Sequence, residues 1–210
     1  MEILPGVLEK EFVNIEKKFE ILRPFARVIH VDLLDGKFAP NTTLLDPSLF
    51  AKYSKDFFLE VHMMVDEPIN YLNSFAKVGF RRFIGHVEKM GDQSEFIARA
   101  EALGEVCLGI DLNTPIQDIK VPLVDLDGVL LMTVKAGFSG QKFDPMGLSK
   151  VKELRERDAL LPLEIDGGVN EATIIQGKEA GATRFVATSY IFSSENPAAN
   201  YHKLQNLLTS

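Results

Sequence analysis

His30 and Asp32 stand two residues apart in VIHVDLLDGKFAPN (Val28–Asn41), among the aliphatic residues Val28, Ile29 and Val31. Aliphatic density of this kind predicts a buried β-strand, and side chains two apart on a strand point to the same face. An imidazole and a carboxylate are thus aimed together into an interior. The arrangement recurs. FLEVHMMV sets Glu60 two residues below His62, FIGHVEKM carries His86 and Glu88, PLEIDGGV sets Glu164 below Asp166, and LGIDLN carries Asp111. A lone strand histidine is ordinarily a hydrogen-bonded core residue, and a lone aspartate at a strand end ordinarily caps a turn. Here three of the four histidines collect at strand ends, while His202 belongs to the surface of the last helix.

His30, Asp32, His62 and Asp166 together make a donor set for one divalent metal ion. Imidazole with carboxylate suits Zn²⁺, Fe²⁺, Mn²⁺ or Co²⁺ rather than Ca²⁺. A closed structural zinc site would draw on cysteines, and Cys107 is the only one. Ligands from separate strand ends predict an ion open to substrate. Glu60 and Glu164, one layer deeper, either orient His62 and tune the local charge or pair within the interior. His86 and Glu88 read as support, not as ligands.

The elements that must position these groups alternate. Strands are expected at Ile3–Val7, Arg27–Asp32, Phe57–Met63, Arg82–Val87, Val106–Leu112, Gly128–Thr133, Leu163–Asp166 and Arg184–Ala187. Helical spacing appears between them: Phe12, Ile15, Phe19 and Leu22 form one stripe that stops before Pro24. Further helices are expected at Ile69–Lys77, Gln93–Leu103, Met146–Arg157, Glu171–Ala180 and Ala198–Leu208. Eight strands alternating with helices, with no linker and no repeated unit, predict a single α/β domain over residues 1–210, a closed parallel (β/α)₈ barrel. An open doubly wound sheet is the alternative. No glycine-rich dinucleotide turn follows the first strand, which weakens it.

In a barrel of this kind the site lies at the C-terminal ends of the strands, where the polar residues collect. Glycine-bearing segments follow the late strands: TVKAGFSGQKF, DGGVNEAT and ATSYIF. Glycine admits an anion close to backbone amides, and the loops after strands seven and eight often hold phosphate in barrels. Gly167, Gly168 and Ser189 are the candidates there, with Gly137 and Gly140 closing from the sixth loop. Short glycine motifs are also ordinary turns; their placement favours the phosphate.

Composition bounds the remaining choices. The net charge is −7 over 210 residues, which argues against a sequence-independent nucleic-acid partner. No long apolar run or signal-like start is present, so no membrane partner is expected. The lone Cys107 reads as a small buried strand residue of a chain in the reducing cytoplasm. Homo-oligomerisation stays open.

The segments HVDLLDGKFAPN, VHMMVDEP, HVE, LMTVKAGFSGQKF, EIDGGV, and AGA followed by SYIF, in this order and spacing, resemble the ribulose-phosphate 3-epimerase family over essentially the whole chain. The resemblance implies the (β/α)₈ fold and interconversion of D-ribulose 5-phosphate and D-xylulose 5-phosphate, a small ketose phosphate partner. It implies that His30, Asp32, His62 and Asp166 hold the metal, and that Asp32 and Asp166 are also the acid–base pair. Met64 and Met132 would lie over the reacting carbons, and the GFSG and DGG glycines with Ser189 would hold the phosphate.

The chain also departs from the family pattern. Pro5-Gly6 stands where Pro-Ser is usual, which removes a substrate-facing hydroxyl. Leu34 replaces a methionine, Ala136 a proline, Ser139 a glycine, Thr188 a glycine and Tyr190 a small residue. Thr188 would strain any positive φ, and Tyr190 is bulky beside the phosphate loops. Asp111 replaces a small apolar residue and reads either as a loop-end acid or as a sugar-hydroxyl contact. Rival readings are a 3-epimerase of a hexulose 6-phosphate, a decarboxylase or aldolase of a sugar phosphate, and a non-catalytic sugar-phosphate binder. The metal-free decarboxylating barrels show Asp-x-Lys-x-x-Asp. DLLDGK has Leu34 at the lysine position, which argues against that rival.

Overall fold

The computed structural model describes residues 1–209. Among them, eight parallel strands close into a barrel in sequence order. The strands are β1 (Glu2–Val7), β2 (Val28–Leu34), β3 (Phe58–Met64), β4 (Phe80–His86), β5 (Glu105–Ile110), β6 (Gly128–Met132), β7 (Leu163–Asp166) and β8 (Arg184–Ala187). The expected barrel is present, and each expected strand is found with ends shifted by at most two residues. The helices are α1 (Phe12–Leu22), α2 (Leu72–Lys77), α3 (Gln93–Glu101), α4 (Met146–Arg157), α5 (Glu171–Ala180), α6 (Ser189–Phe192) and α7 (Pro197–Thr209).

The expected helix Ile69–Lys77 is broken: Pro68–Asn70 forms a tight 3₁₀ turn before α2 begins. Glu67 before the turn has φ 53°, and Tyr71, at φ −97° and ψ −19°, separates the turn from α2. No α-helix follows β2 or β5. Short 3₁₀ turns at Ser48–Tyr53, Ile116–Asp118 and Leu123–Asp125 cover those arcs instead. No helix of the described residues is long and apolar enough to cross a membrane.

Alternation along the strands divides the molecule into two buried regions. Ile29, Val31 and Leu33 of β2, Leu59, Val61 and Met63 of β3, and Leu163 and Ile165 of β7 join the main core between sheet and helices. Their neighbours of opposite parity point into the barrel. There, Leu34, Met64, Ile84, Cys107, Leu130 and Met132 form a second apolar cluster, while His30, Asp32, Glu60, His62, Arg82 and Glu164 are buried beside it. Both faces of each strand are covered, as a parallel sheet requires. The histidine and aspartate of β2 therefore interrupt no hydrophobic packing; the aliphatic residues between them serve the other face.

In the outer core, α1 meets the segment before β3 through a group of aromatic rings. The Phe19 ring lies 4.3 Å from Tyr53, 5.9 Å from Phe50 and 5.5 Å from Phe57, centroid to centroid, and is fully buried. Phe19→Ala is expected to cost about 3–5 kcal/mol through lost burial and a residual cavity. Urea unfolding followed by circular dichroism reads this as a lower midpoint with an unchanged slope.

Candidate active site

Parallel register brings the polar residues of β2 and β3 side by side, with His30 opposite Glu60 and Asp32 opposite His62. His30 Nε2 lies 3.2 Å from His62 Nδ1 and 3.3 Å from Asp32 Oδ1. His62 Nδ1 lies 3.0 Å from Asp32 Oδ1 and 3.5 Å from Asp166 Oδ2, which arrives from the end of β7. One donor atom from each of the four residues falls within 4.8 Å of every other. Four nitrogen and oxygen ligands at 2.0–2.2 Å around one ion would stand roughly 3.0–3.5 Å from one another. The four residues expected to gather do gather, at a spacing that one cation fits.

The charge balance points the same way. Burial disfavours a proton on His62, yet Asp166 and Asp32 beside it outweigh this and lift the imidazole to about 8. His30 is likewise raised against its burial, by Asp32, Glu164 and Glu60. Burial would raise Asp32, but His30 and His62 hold it well below the usual carboxylate range. Glu164 is buried with neither oxygen hydrogen-bonded, and that burial together with Glu60 pushes it up to about 7. The pocket holds more negative charge than Arg82 alone can balance, so its imidazoles keep protons that a divalent cation would replace.

Each expected ligand is braced from behind. His30 Nδ1 donates to Glu60 Oε1, Glu60 Oε2 accepts from Arg82 at 2.5 Å, and Arg82 Nε donates to Glu105 at 2.7 Å. Burial would raise Glu60, but His30 and Arg82 hold it at about 2. Glu60 thus supports His30 across the strand pair, not His62 on its own strand, because cross-strand neighbours lie closer than residues two apart. His62 is supported by His86 instead: their Nε2 atoms are 2.7 Å apart, and His86 Nδ1 lies 2.9 Å from Glu88 Oε2. The peptide carbonyls of Asp32 and Asp166 accept from the hydroxyls of Thr43 and Thr133, at 2.9 and 3.0 Å.

Only the two aspartates of the set reach the open cleft at the C-terminal end of the barrel; His30 and His62 lie fully buried beneath. The same cleft is lined by Met64 and Met132, by Gly137 and Gly140 of the loop after β6, by Gly167 and Gly168 after β7, and by Ser189. All the expected contact residues therefore share one cavity. Gly167 and Gly168 have φ of 121° and 65°. A Cβ at Gly167 would stand 2.5 Å from Val134, and one at Gly168 would stand 2.7 Å from the Phe143 amide nitrogen, so no other residue fits this turn.

Two expectations need correction. Thr188 adopts φ −103°, so its side chain meets no backbone strain. Tyr190 stands beside the phosphate loops as expected: it lines an adjoining cavity with Gly140, Gly168 and Ser189, and its hydroxyl donates to Glu171 on α5 at 2.7 Å. Asp111 is a half-buried loop-end acid and not a wall of the cleft. Its Oδ1 accepts from the Leu112 amide at 2.8 Å and from the Ala136 amide at 3.3 Å, bracing the loop after β6, while its own amide donates to Glu88. The sequence reading missed Thr43, Thr133, Arg82 and Asn41, whose amide group donates to Gly137 O at 2.8 Å and joins the loops after β2 and β6. Asn41 closes the FAPN run, so it was in view without a partner.

The chain matches the model of the ribulose-phosphate 3-epimerase family over residues 2–192. It is 36% identical to the cytoplasmic isoform of ribulose-phosphate 3-epimerase from Oryza sativa, covering 93% of this chain and 89% of that one. It is 35% identical to the ribulose-phosphate 3-epimerase of Bacillus subtilis, covering 93% and 94%. Among solved structures, 3-keto-L-gulonate-6-phosphate decarboxylase from Vibrio cholerae superposes with a TM-score of 0.74 over 100% of this chain and 96% of that one, at 13% identity. Orotidine 5'-phosphate decarboxylase from Pyrococcus horikoshii superposes with a TM-score of 0.70 over 100% of both chains, also at 13% identity. Likeness at that identity speaks for the barrel alone, whereas the full-length matches at a third identity carry the assignment: this chain belongs to the ribulose-phosphate 3-epimerase family.

Proposed function

We propose that the chain interconverts D-ribulose 5-phosphate and D-xylulose 5-phosphate, with His30, Asp32, His62 and Asp166 holding one divalent cation and Asp32 and Asp166 moving the protons. The observation that carries this reading is the convergence of those four donors under a cleft that only the carboxylates enter. The names of the full-length relatives support the substrate.

Inverting carbon 3 of a 2-ketose means removing a proton beside the carbonyl and returning one to the opposite face. A bound Zn²⁺, Fe²⁺, Mn²⁺ or Co²⁺ would supply Lewis-acid stabilisation of the negative charge that develops on the oxygens. Asp32 and Asp166 stand on β2 and β7, with β8 and β1 between them, so they approach a flat cis-enediolate from different sides. One acts as base while the other acts as acid, and the roles exchange in the reverse direction. Met64 and Met132 give the reacting carbons a polarizable, water-poor wall. Gly137, Gly140, Gly167, Gly168 and Ser189 hold the phosphate through backbone amides and one hydroxyl. Leu34, fully buried, offers no ammonium group for decarboxylation. A single thiol, buried at Cys107, supports a cytoplasmic setting.

In heavy water the metal-loaded protein is expected to exchange deuterium into carbon 3 of ribulose 5-phosphate as xylulose 5-phosphate forms, followed by proton NMR. Exchange confined to a hexulose 6-phosphate would move the substrate assignment, and no exchange with either sugar would end it. Asp166→Asn should slow exchange by on the order of 10²-fold or more with the fold intact; near-normal turnover would remove Asp166 from the proton path. Glu60→Gln, which weakens the brace behind His30, is expected to lower metal affinity about 10- to 100-fold in a competition titration against a chelating dye.

A further inference from the structure

We propose that the Thr188 hydroxyl is a specificity-determining group that hydrogen-bonds a sugar hydroxyl of the substrate, and that residue 6 is glycine because this hydroxyl fills the space its side chain would need. The inference deepens the function proposed above and rests on the sugar-phosphate reading of the cleft.

β1 and β8 pair in parallel, with Pro5 opposite Ala187, so Gly6 and Thr188 meet just beyond the pairing. A Cβ built on Gly6 would stand 2.1 Å from Thr188 Oγ1 and 3.4 Å from Thr188 Cβ. Gly6 is not among the residues with positive φ, so its backbone makes no demand for glycine. Thr188 Oγ1 occupies the place of a side chain there, so a Cβ at residue 6 would force the hydroxyl to turn. Thr188 in turn has an ordinary φ, so any residue could stand at its position as far as the backbone is concerned. The two departures from the family pattern, at residues 6 and 188, are therefore one reciprocal feature, which delivers a hydroxyl from β8 in place of one from β1.

That hydroxyl is free to serve a ligand. Thr188 immediately precedes α6, where a threonine commonly accepts from the first amides of a helix, yet its side chain makes no capping bond. It has no hydrogen-bond partner among the described residues. It is half-buried and lines the cleft together with Asp32 and Ser189. Gly6 lies opposite His30 in the β1–β2 register. The Thr188 hydroxyl thus stands between the Ser189 end of the cleft and the cluster of metal donors. A group that both donates and accepts, held between a phosphate and the reacting carbons, is matched by a hydroxyl of the sugar chain.

The test uses D-ribitol 5-phosphate, which keeps the hydroxyls and phosphate of the substrate and lacks the carbonyl, so it binds without reacting. Calorimetric titration of the full, metal-loaded chain is run beside kcat and KM for ribulose 5-phosphate and the Tm of each variant. Thr188→Val keeps the shape and deletes the hydroxyl. It is expected to weaken the probe about 3- to 10-fold and to lower kcat/KM similarly, with Tm not reduced. Gly6→Ser alone, forced against Thr188, should lose more. Gly6→Ser with Thr188→Gly removes the collision and returns a hydroxyl from the other strand; only the Val186 methyl, 3.0 Å from the new Cβ, must shift slightly. That pair should recover probe binding to within about threefold of the unaltered chain, a recovery that a purely structural role for Thr188 would not produce. Equal binding by Thr188→Val, no binding by the unaltered chain, or a double variant no better than Gly6→Ser overturns the proposal. Should these binding differences appear while ribulose 5-phosphate is not epimerised, the reaction assignment falls and the contact stands.

Discussion

The pairing register of β2 with β3 is the constraint on which the rest of the site depends. It sets His30 against Glu60 and Asp32 against His62, so that each donor has either a second donor or a brace on the neighbouring strand. A slip by one residue would exchange this entire set with Ile29, Val31, Leu33, Val61 and Met63, putting imidazoles against the helices and aliphatic side chains in the cleft. The outer face guards against such a slip. Those aliphatic residues are fixed in the main core by α1 and by the aromatic group around Phe19. Packing on one side of the sheet thereby secures chemistry on the other.

The barrel interior is divided by chemistry. β5 and β6 contribute Cys107, Leu130 and Met132, whereas β2, β3, β4 and β7 contribute His30, Asp32, Glu60, His62, Arg82, His86, Glu164 and Asp166. Low dielectric on the apolar side strengthens the electrostatic attraction of the polar side for a cation. Buried carboxylates are costly without partners. The imidazoles and Arg82 supply those partners, and Glu164 remains the group whose burial is least compensated.

Much of this was legible in one sequence because parallel strands carry two faces at a period of two. Polar residues at alternate positions in aliphatic runs marked the interior directly, which is why His30, Asp32, His62 and Asp166 could be named together. Strands and helices with strong periodicity, such as Leu163–Asp166, Met146–Arg157 and Glu171–Ala180, have the expected bounds. The four-residue α6 was not visible, since one turn shows no period. Cross-strand partnerships were also hidden. Glu60 seemed to belong to His62, two residues along the same strand, until register assigned it to His30. Asp111 stayed open between a loop-end acid and a substrate contact because a sequence shows the carboxylate but not the Ala136 amide that occupies it. Gly6 and Thr188 looked like separate losses for the same reason.

The contact between His62 and His86 carries a directional consequence. Glu88, an ionised carboxylate held at about 2 by His86 against the effect of its own burial, can only accept, so the proton on His86 must sit on Nδ1. The facing nitrogen of a neutral His86 is then a lone pair, which obliges His62 to donate from Nε2, so that the proton a cation would replace is the one on Nδ1, toward Asp32 and Asp166. A carboxylate at the far end of two stacked rings thus dictates which tautomer the innermost imidazole presents, and the wiring can run in one sense only.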